Sequence, residues 1–166
     1  QNQKNFTSLL NSDKISVMSN LIENRKAGFN YEIGDKYEAG IELVGHEVKS
    51  VKAGHGNMAG SFIVIRGNEA YLAGLEIPPF QTKNSPESYE PRRMRKLLLA
   101  KREILKLQTL EQRERLTLIP LSLYNKGRFI KVSFAVARGK KKTDKRQTIR
   151  RREDEREMSR SLKKLR

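Results

Sequence analysis

The last 29 residues of the chain carry more than half of its net positive charge and few of the apolar side chains that a core requires. Residues 138–166 hold 14 Lys or Arg and 5 Asp or Glu, a net charge of +9 out of +16 for the whole chain. A segment of this composition repels itself and becomes compact only against a polyanion. The pattern predicts a basic C-terminal tail, residues 138–166, that is disordered when free, with a nucleic acid as the partner.

The rest of the chain is long enough for one folded domain, because 166 residues in total allow one core and flexible ends. The absence of cysteine excludes disulfides, thiolate zinc sites and cysteine nucleophiles. No window holds the roughly 18 apolar residues of a membrane-spanning helix, and no membrane partner is expected. Residues 1–23 show no sustained periodicity and are predicted to be a disordered leader; an organellar address in this leader stays an open alternative.

Several short stretches alternate apolar and polar side chains, which is typical of strands with one buried face. The clearest is a hairpin over residues 61–75, whose Gly67-Asn68 pair suits a two-residue turn. A second hairpin is predicted over residues 116–136, and Pro120 makes its first arm an edge or bulged strand. Further strands are predicted around residues 29–33 and 41–43, and a short helix over 47–52.

A longer helix is predicted to begin near Pro91, since proline suits the first helical position. The apolar side chains with helical spacing are Met94, Leu97, Leu98, Ile104 and Leu105. On this pattern Leu98 belongs to the core. Because the strands are short and outnumber the helices, the predicted fold class is mainly β, a small antiparallel β-barrel with about three helices, formed by residues 24–137.

The residue types that support catalysis are sparse. The only two histidines, His46 and His55, have no partner at metal-ligand spacing, and no glycine-rich phosphate loop is present. One alternative is a metal-dependent nuclease that uses Glu38, Glu42 and Glu47. Without a further acidic motif, the sequence favours a protein that is not an enzyme and that has no metal or cofactor.

Four stretches, taken in order, resemble the small protein B family, the bacterial partner of transfer-messenger RNA in the rescue of stalled ribosomes. They are NRKAGFNYEI (24–33), YEAGIELVGHEVKSVKAG (37–54), RRMRKLLLAKREI (92–104), and LTLIPLSLYNKGR (116–128) followed by RGKKKTDKR (138–146). The resemblance covers roughly residues 24 to 158, and the order and spacing of the stretches make it specific.

The resemblance implies an oligonucleotide-binding (OB-fold-like) barrel that holds the tRNA-like domain of the RNA, with Asn24, Glu38 and Leu98 important for binding. The neighbouring Arg25 and Lys26 would contact phosphates. Two roles stay open for Glu38, which either accepts hydrogen bonds from base amino groups and 2′-hydroxyls or orients a basic neighbour.

The resemblance further implies that the tail enters the decoding site and the empty messenger channel of the small ribosomal subunit and becomes helical there. The tail residues expected to act are Gly139 as a hinge, Lys140, Lys141, Lys142, Thr143, Asp144, Lys145 and Arg146. The implied partners are transfer-messenger RNA charged with alanine, elongation factor Tu, and the small subunit with its ribosomal RNA. The implied state is a monomer in the bacterial cytoplasm.

Three positions depart from the family pattern. Thr143 replaces the usual Tyr or His, which leaves a hydroxyl and no ring for base stacking. Phe29 replaces a common His, and Ala100 replaces a common His or Asn. The rival binding function, a general ribosomal or single-strand-binding protein on the same barrel, would need stacking aromatics on the barrel face, whereas the chain has no Trp.

Overall fold

The computed structural model describes residues 20–81, 88–114 and 116–141, together with residues 144, 146, 149–151, 153, 154, 156–158 and 160. Its elements in chain order are β1 (Asn20–Glu23), α1 (Ala27–Asn30), β2 (Tyr31–Ile41), α2 (Gly45–Lys52), β3 (Phe62–Arg66), β4 (Glu69–Ala73), β5 (Arg95–Leu98), α3 (Lys101–Glu114), β6 (Thr117–Lys126) and β7 (Phe129–Gly139).

The strands form one antiparallel sheet that closes into a ring. Six strands pair in the order β6, β3, β4, β5, β2 and β7, and β7 pairs again with β6. Strand β1 adds to β6 on the edge that β6 shares with β3. Closure leaves few unpaired strand edges in the described part of the chain. The predicted mainly β, barrel-like architecture is confirmed.

Both predicted hairpins are present. Strands β3 and β4 turn at Gly67, which has φ of 60°, and β6 and β7 turn at Gly127, with φ of 63°. Positive φ costs glycine nothing, because it has no Cβ to clash with the following carbonyl. The register of β6 shifts between Pro120 and Ser122, so the bulged form of this arm is the correct alternative.

The core fills the interior of the ring. Inward side chains from every ring strand belong to one buried cluster, and Leu107 of α3 joins it with no exposed surface. Each fully buried aliphatic or Phe side chain of this kind contributes about 1.5–3 kcal/mol. Helix α3 also places the Lys106 ammonium 5.4 Å from the centre of the Tyr37 ring. The core therefore holds the ring as a rigid support for its outer face.

The predicted helix from Pro91 is wrong over its first half. Residues Arg95–Leu98 form strand β5, which pairs with β2 and β4, and the helix begins at Lys101. Arg95 and Leu97 point inward, whereas Lys96 and Leu98 point outward. The sequence does not show this alternation of buried and exposed side chains, because the fully buried residue at position 95 is an arginine and counts as polar in a hydrophobicity pattern. Leu98, predicted to lie in the core, is 58% exposed.

Two predicted boundaries also need correction. Residues 20–23, assigned to the leader, form β1 and bury Ile22 against the core; a four-residue strand with one buried side chain gives no periodic signal. At the other end, β7 continues through Arg138 to Gly139, which pair with Glu32 and Tyr31. Residues 1–19 lie outside the described residues. The described residues from 144 to 160 have helical backbone and are exposed.

Candidate nucleic-acid interface

Outward side chains of four adjacent strands form a row across the barrel. Leu98 of β5 pairs with Gly40 of β2, Gly40 pairs with Lys131 of β7, and Lys131 pairs with Tyr124 of β6. Cross-strand partners point to the same side of a sheet. Glu38 lies on the same side as Gly40, two residues earlier on β2, because side-chain direction alternates along a strand.

Glu38 is the centre of a hydrogen-bonded cluster on this outer face. Its carboxylate accepts hydrogen bonds from the Tyr124 hydroxyl and from the Lys131 ammonium, and the Lys126 ammonium lies 3.0 Å from Oε1. The hydrogen bonds from Lys131 and Tyr124 lower the pKa of Glu38 to about 2. Burial and the Glu38 carboxylate raise the pKa of the Tyr124 hydroxyl. Glu38 is therefore charged, and Tyr124 neutral, throughout the neutral pH range.

The geometry favours one of the two roles that the sequence left open for Glu38. Three donors already engage its two oxygens, and only 34% of its side chain is exposed. The carboxylate thus holds Lys126 and Lys131 in fixed positions, and the cluster keeps a net charge of +1. Fixed ammonium groups lose less side-chain entropy when they meet a phosphate.

Leu98 lies beside this cluster as an exposed apolar contact. A Cβ built on Gly40 would lie 3.2 Å from the Leu98 Cβ and 3.3 Å from its Cδ1, so the leucine packs over the bare backbone of β2. An apolar side chain in this position offers a sugar or a base face a surface to pack on.

In this structure Asn24 hydrogen-bonds to the backbone of β6. Its Nδ2 donates to the Pro120 carbonyl at 3.0 Å, and its backbone N–H donates to the Leu121 carbonyl at 2.8 Å. These bonds fix the segment after β1 to the bulge of β6. Arg25 and Lys26, which follow, are exposed. By anchoring this segment, Asn24 leaves Arg25 and Lys26 exposed to solvent. One N–H of the Asn24 side-chain amide is already used in the bond to Pro120.

A surface groove joins the two groups of predicted residues. Its lining includes Asn24 and Arg25, the acidic Glu23, and Lys36, Ser122 and Ser133. Ser133 is the cross-strand partner of Glu38, so the groove leads directly to the carboxylate cluster. We call this surface the basic face; it comprises Arg25, Lys26, Lys36, Glu38, Leu98, Lys126 and Lys131.

Sequence reasoning missed Lys36, Lys126 and Lys131 of the basic face, and the nearby Phe129. The signal that could have found Lys131 is its position between the buried Ile130 and Val132, which puts it on the outer face of the strand. Lys126 lies at the end of β6. It meets Glu38 because β6 pairs with β7 and β7 pairs with β2, and the sequence alone does not show these pairings. Phe129, beside the same turn, is 70% exposed and adds an aromatic ring next to these cations.

The first tail residues are tied to the barrel. Gly139 is the last residue of β7, and the Lys140 backbone N–H donates to the Asn30 carbonyl at 2.9 Å. The Lys140 ammonium donates to the Gly28 carbonyl at 2.8 Å. The Lys141 N–H donates to the Asp144 carboxylate at 3.1 Å. Arg146 is exposed, and Lys142, Thr143 and Lys145 lie outside the described residues.

The nuclease alternative loses its structural basis. Glu47 is fully buried and bound by Arg93 and Arg95, and Glu38 is bound by lysines. The described residues contain no group of three side chains placed to hold a metal ion. His46 packs edge-on against the Tyr89 ring, with ring centres 4.4 Å apart. Within the described ranges, the helices are too short or too polar to cross a membrane.

Comparison with known proteins places these features in a family. The model of the family described as SmpB protein matches residues 21–164. A relative named SsrA-binding protein from Gloeothece citriformis is 47% identical over 143 residues, covering 86% of this chain and 92% of that protein. The SsrA-binding protein of Thermosynechococcus vestitus is 48% identical over 151 residues, covering 91% and 97%.

A solved structure supports the same grouping. It comes from work described as "tmRNA-SmpB: a journey to the center of the bacterial ribosome" and superposes with a TM-score of 0.63 at 43% identity. The match covers 78% of this chain and 94% of that one.

Proposed function

The chain belongs to the SmpB protein family, and from this premise we propose that it binds transfer-messenger RNA through the basic face and acts in the rescue of stalled ribosomes. The observation that carries the proposal is the cluster in which Glu38 fixes Lys126 and Lys131 beside the exposed Leu98. Membership of this family agrees with the prediction that the chain is not an enzyme.

The RNA element we propose for this surface is the tRNA-like domain. The barrel, which we take to be OB-fold-like, supplies a rigid curved support, and ordered cations on its outer side suit a folded backbone of fixed shape. Arg25, Lys26, Lys126 and Lys131 would meet phosphates, and Leu98 would pack against a sugar or base. Because a folded RNA presents phosphates at fixed spacings, positioned lysines favour it over flexible strands.

The C-terminal segment has a separate proposed role. We propose that residues after Lys141 enter the decoding site and the empty messenger channel of the small subunit, with elongation factor Tu delivering the alanyl-charged RNA. Its cations would neutralise ribosomal RNA phosphates. The expectation that this segment becomes helical only on its partner stays a prediction.

Replacing Glu38 by Gln separates positioning from simple attraction. The variant raises the net charge by one, so attraction alone would tighten RNA binding. If Glu38 orders Lys126 and Lys131, affinity for transfer-messenger RNA instead falls by about tenfold, as expected when charge-assisted hydrogen bonds worth about 1.5 kcal/mol are lost. Filter binding at fixed salt measures the change, and bulk tRNA and single-stranded DNA serve as competitors.

The matched control is Glu32→Gln, which makes the same charge change at an exposed position on the same strand. Its affinity should equal that of the unaltered chain or rise slightly. Tighter binding by the Glu38 variant would show that the carboxylate merely repels RNA. If bulk tRNA and single-stranded DNA compete as well as transfer-messenger RNA does, the result would favour a general nucleic-acid-binding protein.

A further inference from the structure

A second cluster on the barrel repeats the arrangement around Glu38. The Glu69 carboxylate of β4 accepts hydrogen bonds from the Tyr71 hydroxyl and from the Lys96 ammonium of β5. The hydrogen bond from Lys96 lowers the pKa of Glu69, and the same bond raises the pKa of Lys96. As in the first cluster, one glutamate holds a tyrosine and a lysine together at the surface.

The strand register places this cluster directly beside Leu98. Lys96 and Leu98 point outward from the same strand, Tyr71 pairs with Lys96, and Ala70 pairs with Leu97. The antiparallel register therefore sets Glu69 opposite Leu98. Glu69 in turn pairs with the exposed Arg66 of β3. The second cluster and Arg66 lie on one side of the leucine, and Lys131 lies on the other.

The charges and spacing suit a continuous surface for RNA. Glu69, Lys96 and Arg66 together carry +1, the same balance as Glu38, Lys126 and Lys131. Neighbouring strands lie about 4.8 Å apart, so β5 is roughly 10 Å from β7 through β2, and, because the ring is closed, β3 is roughly 10 Å from β7 through β6. An RNA that follows the curvature of the barrel past Leu98 can therefore meet the two clusters with different phosphates.

The arrangement does little for folding. The Lys96 side chain is 39% exposed and that of Glu69 is 43% exposed, and ion pairs as exposed as this contribute little to stability. A lysine held by a glutamate that is itself held by a tyrosine hydroxyl is instead preorganised for an external anion.

We infer that the RNA-binding surface continues across Leu98 onto β4 and β3, where Lys96 and Arg66 contact phosphates of the RNA that occupies the basic face and Glu69 positions Lys96. The inference rests on the proposed function, because it assigns a second contact region to the same RNA. Lys96 and Arg66 are direct contacts; Glu69 is a positioning residue.

The test uses the full-length chain carrying both Lys96→Gln and Arg66→Gln. Affinity for folded transfer-messenger RNA should fall by about tenfold, and the log-log salt slope should become shallower by about 1.8, since each lost phosphate contact removes about 0.9. The matched control carries Lys49→Gln and Lys52→Gln, two exposed cations on α2, and should keep the slope of the unaltered chain. Thermal unfolding of both variants checks that the barrel is intact.

The outcomes separate this inference from the function on which it rests. If the double variant binds with unchanged affinity and slope while Lys131→Gln weakens binding, the extension is wrong and the basic face stands. If Lys131→Gln also has no effect, the proposed function fails. Glu69→Gln removes a negative charge and so raises the net charge by one; weaker binding therefore supports its positioning role, and tighter binding overturns that role.

Discussion

A chain that ends after Lys141 is expected to bind transfer-messenger RNA but to fail completely in tagging peptides on stalled ribosomes. The truncation leaves every strand of the barrel and the whole basic face in place. It removes 11 Lys or Arg and 5 Asp or Glu, so only long-range attraction to RNA is lost, and affinity should fall by less than about tenfold. RNA binding and peptide tagging in a reconstituted translation system are the two measurements.

The position of the cut matters for this experiment. Ending the chain at residue 137 would remove Arg138 and Gly139, which pair with β2, and Lys140, which binds the Asn30 carbonyl. Such a chain would confuse damage to the barrel with loss of the tail. A control that keeps the length but replaces the cations after Lys141 by Gln should also fail in tagging. If the chain that ends after Lys141 loses RNA binding as well as tagging, the two roles are not divided in this way.

The largest effect on folding is expected from Glu47→Gln. Glu47 and Arg95 have no exposed side-chain surface and form an ion pair of 2.8 Å. Arg95 also donates to the carbonyls of Leu75, Arg93 and Pro91. Glu47 is the only carboxylate among the described residues that binds Arg95. Removing it leaves a buried guanidinium uncompensated, which costs about 3–5 kcal/mol. Urea unfolding measures this loss.

The control for Glu47 is Glu76→Gln, which breaks the exposed pair with Arg92. Those side chains are 39% and 69% exposed, and the expected change in the free energy of unfolding is about 0–1 kcal/mol. Comparable losses in the two variants would mean that burial does not set the strength of the Glu47 pair.

The pH dependence of unfolding provides a second check on Glu47. Burial raises the pKa of Glu47, but hydrogen bonds from Arg93 and from the Val44 backbone N–H, with the charge of Arg95, outweigh it and lower the pKa below 4.5. A lowered folded-state pKa gives stability that is complete above the unfolded value and is lost as pH falls below it. The Gln variant should therefore lose less stability than the unaltered chain below pH 4.5.

The sequence predicted the parts of the fold that depend on local rules. The two hairpins follow from alternation and from glycines at the turns, and the bulge follows from Pro120, which has no N–H to donate to a ladder. Strand β5 escaped prediction because Arg95 is buried by a partner, Glu47, that lies 48 residues away in the chain. No local pattern reveals that a charged side chain is compensated.

The candidate site divides in the same way. The resemblance singled out Glu38 and Leu98, but their surroundings came only from the fold. Leu98 is exposed because β5 is a strand, and Glu38 meets Lys126 and Lys131 because β2 lies beside β7 and β7 beside β6. Contacts that span more than 80 residues depend on topology. The resemblance therefore selects candidate residues, and only the fold shows which side chains they contact.

The ties between Lys140 and α1 give the tail a fixed origin. The short helix that receives these two hydrogen bonds follows Arg25 and Lys26 directly in the chain, so any RNA gripped there is held at a set distance from the point where the tail departs. The described residues from 144 to 160 have helical backbone, and a helix rises about 1.5 Å per residue. Inserting or deleting whole helical turns after Lys141 should therefore change how far this segment reaches from an RNA bound at Arg25 and Lys26.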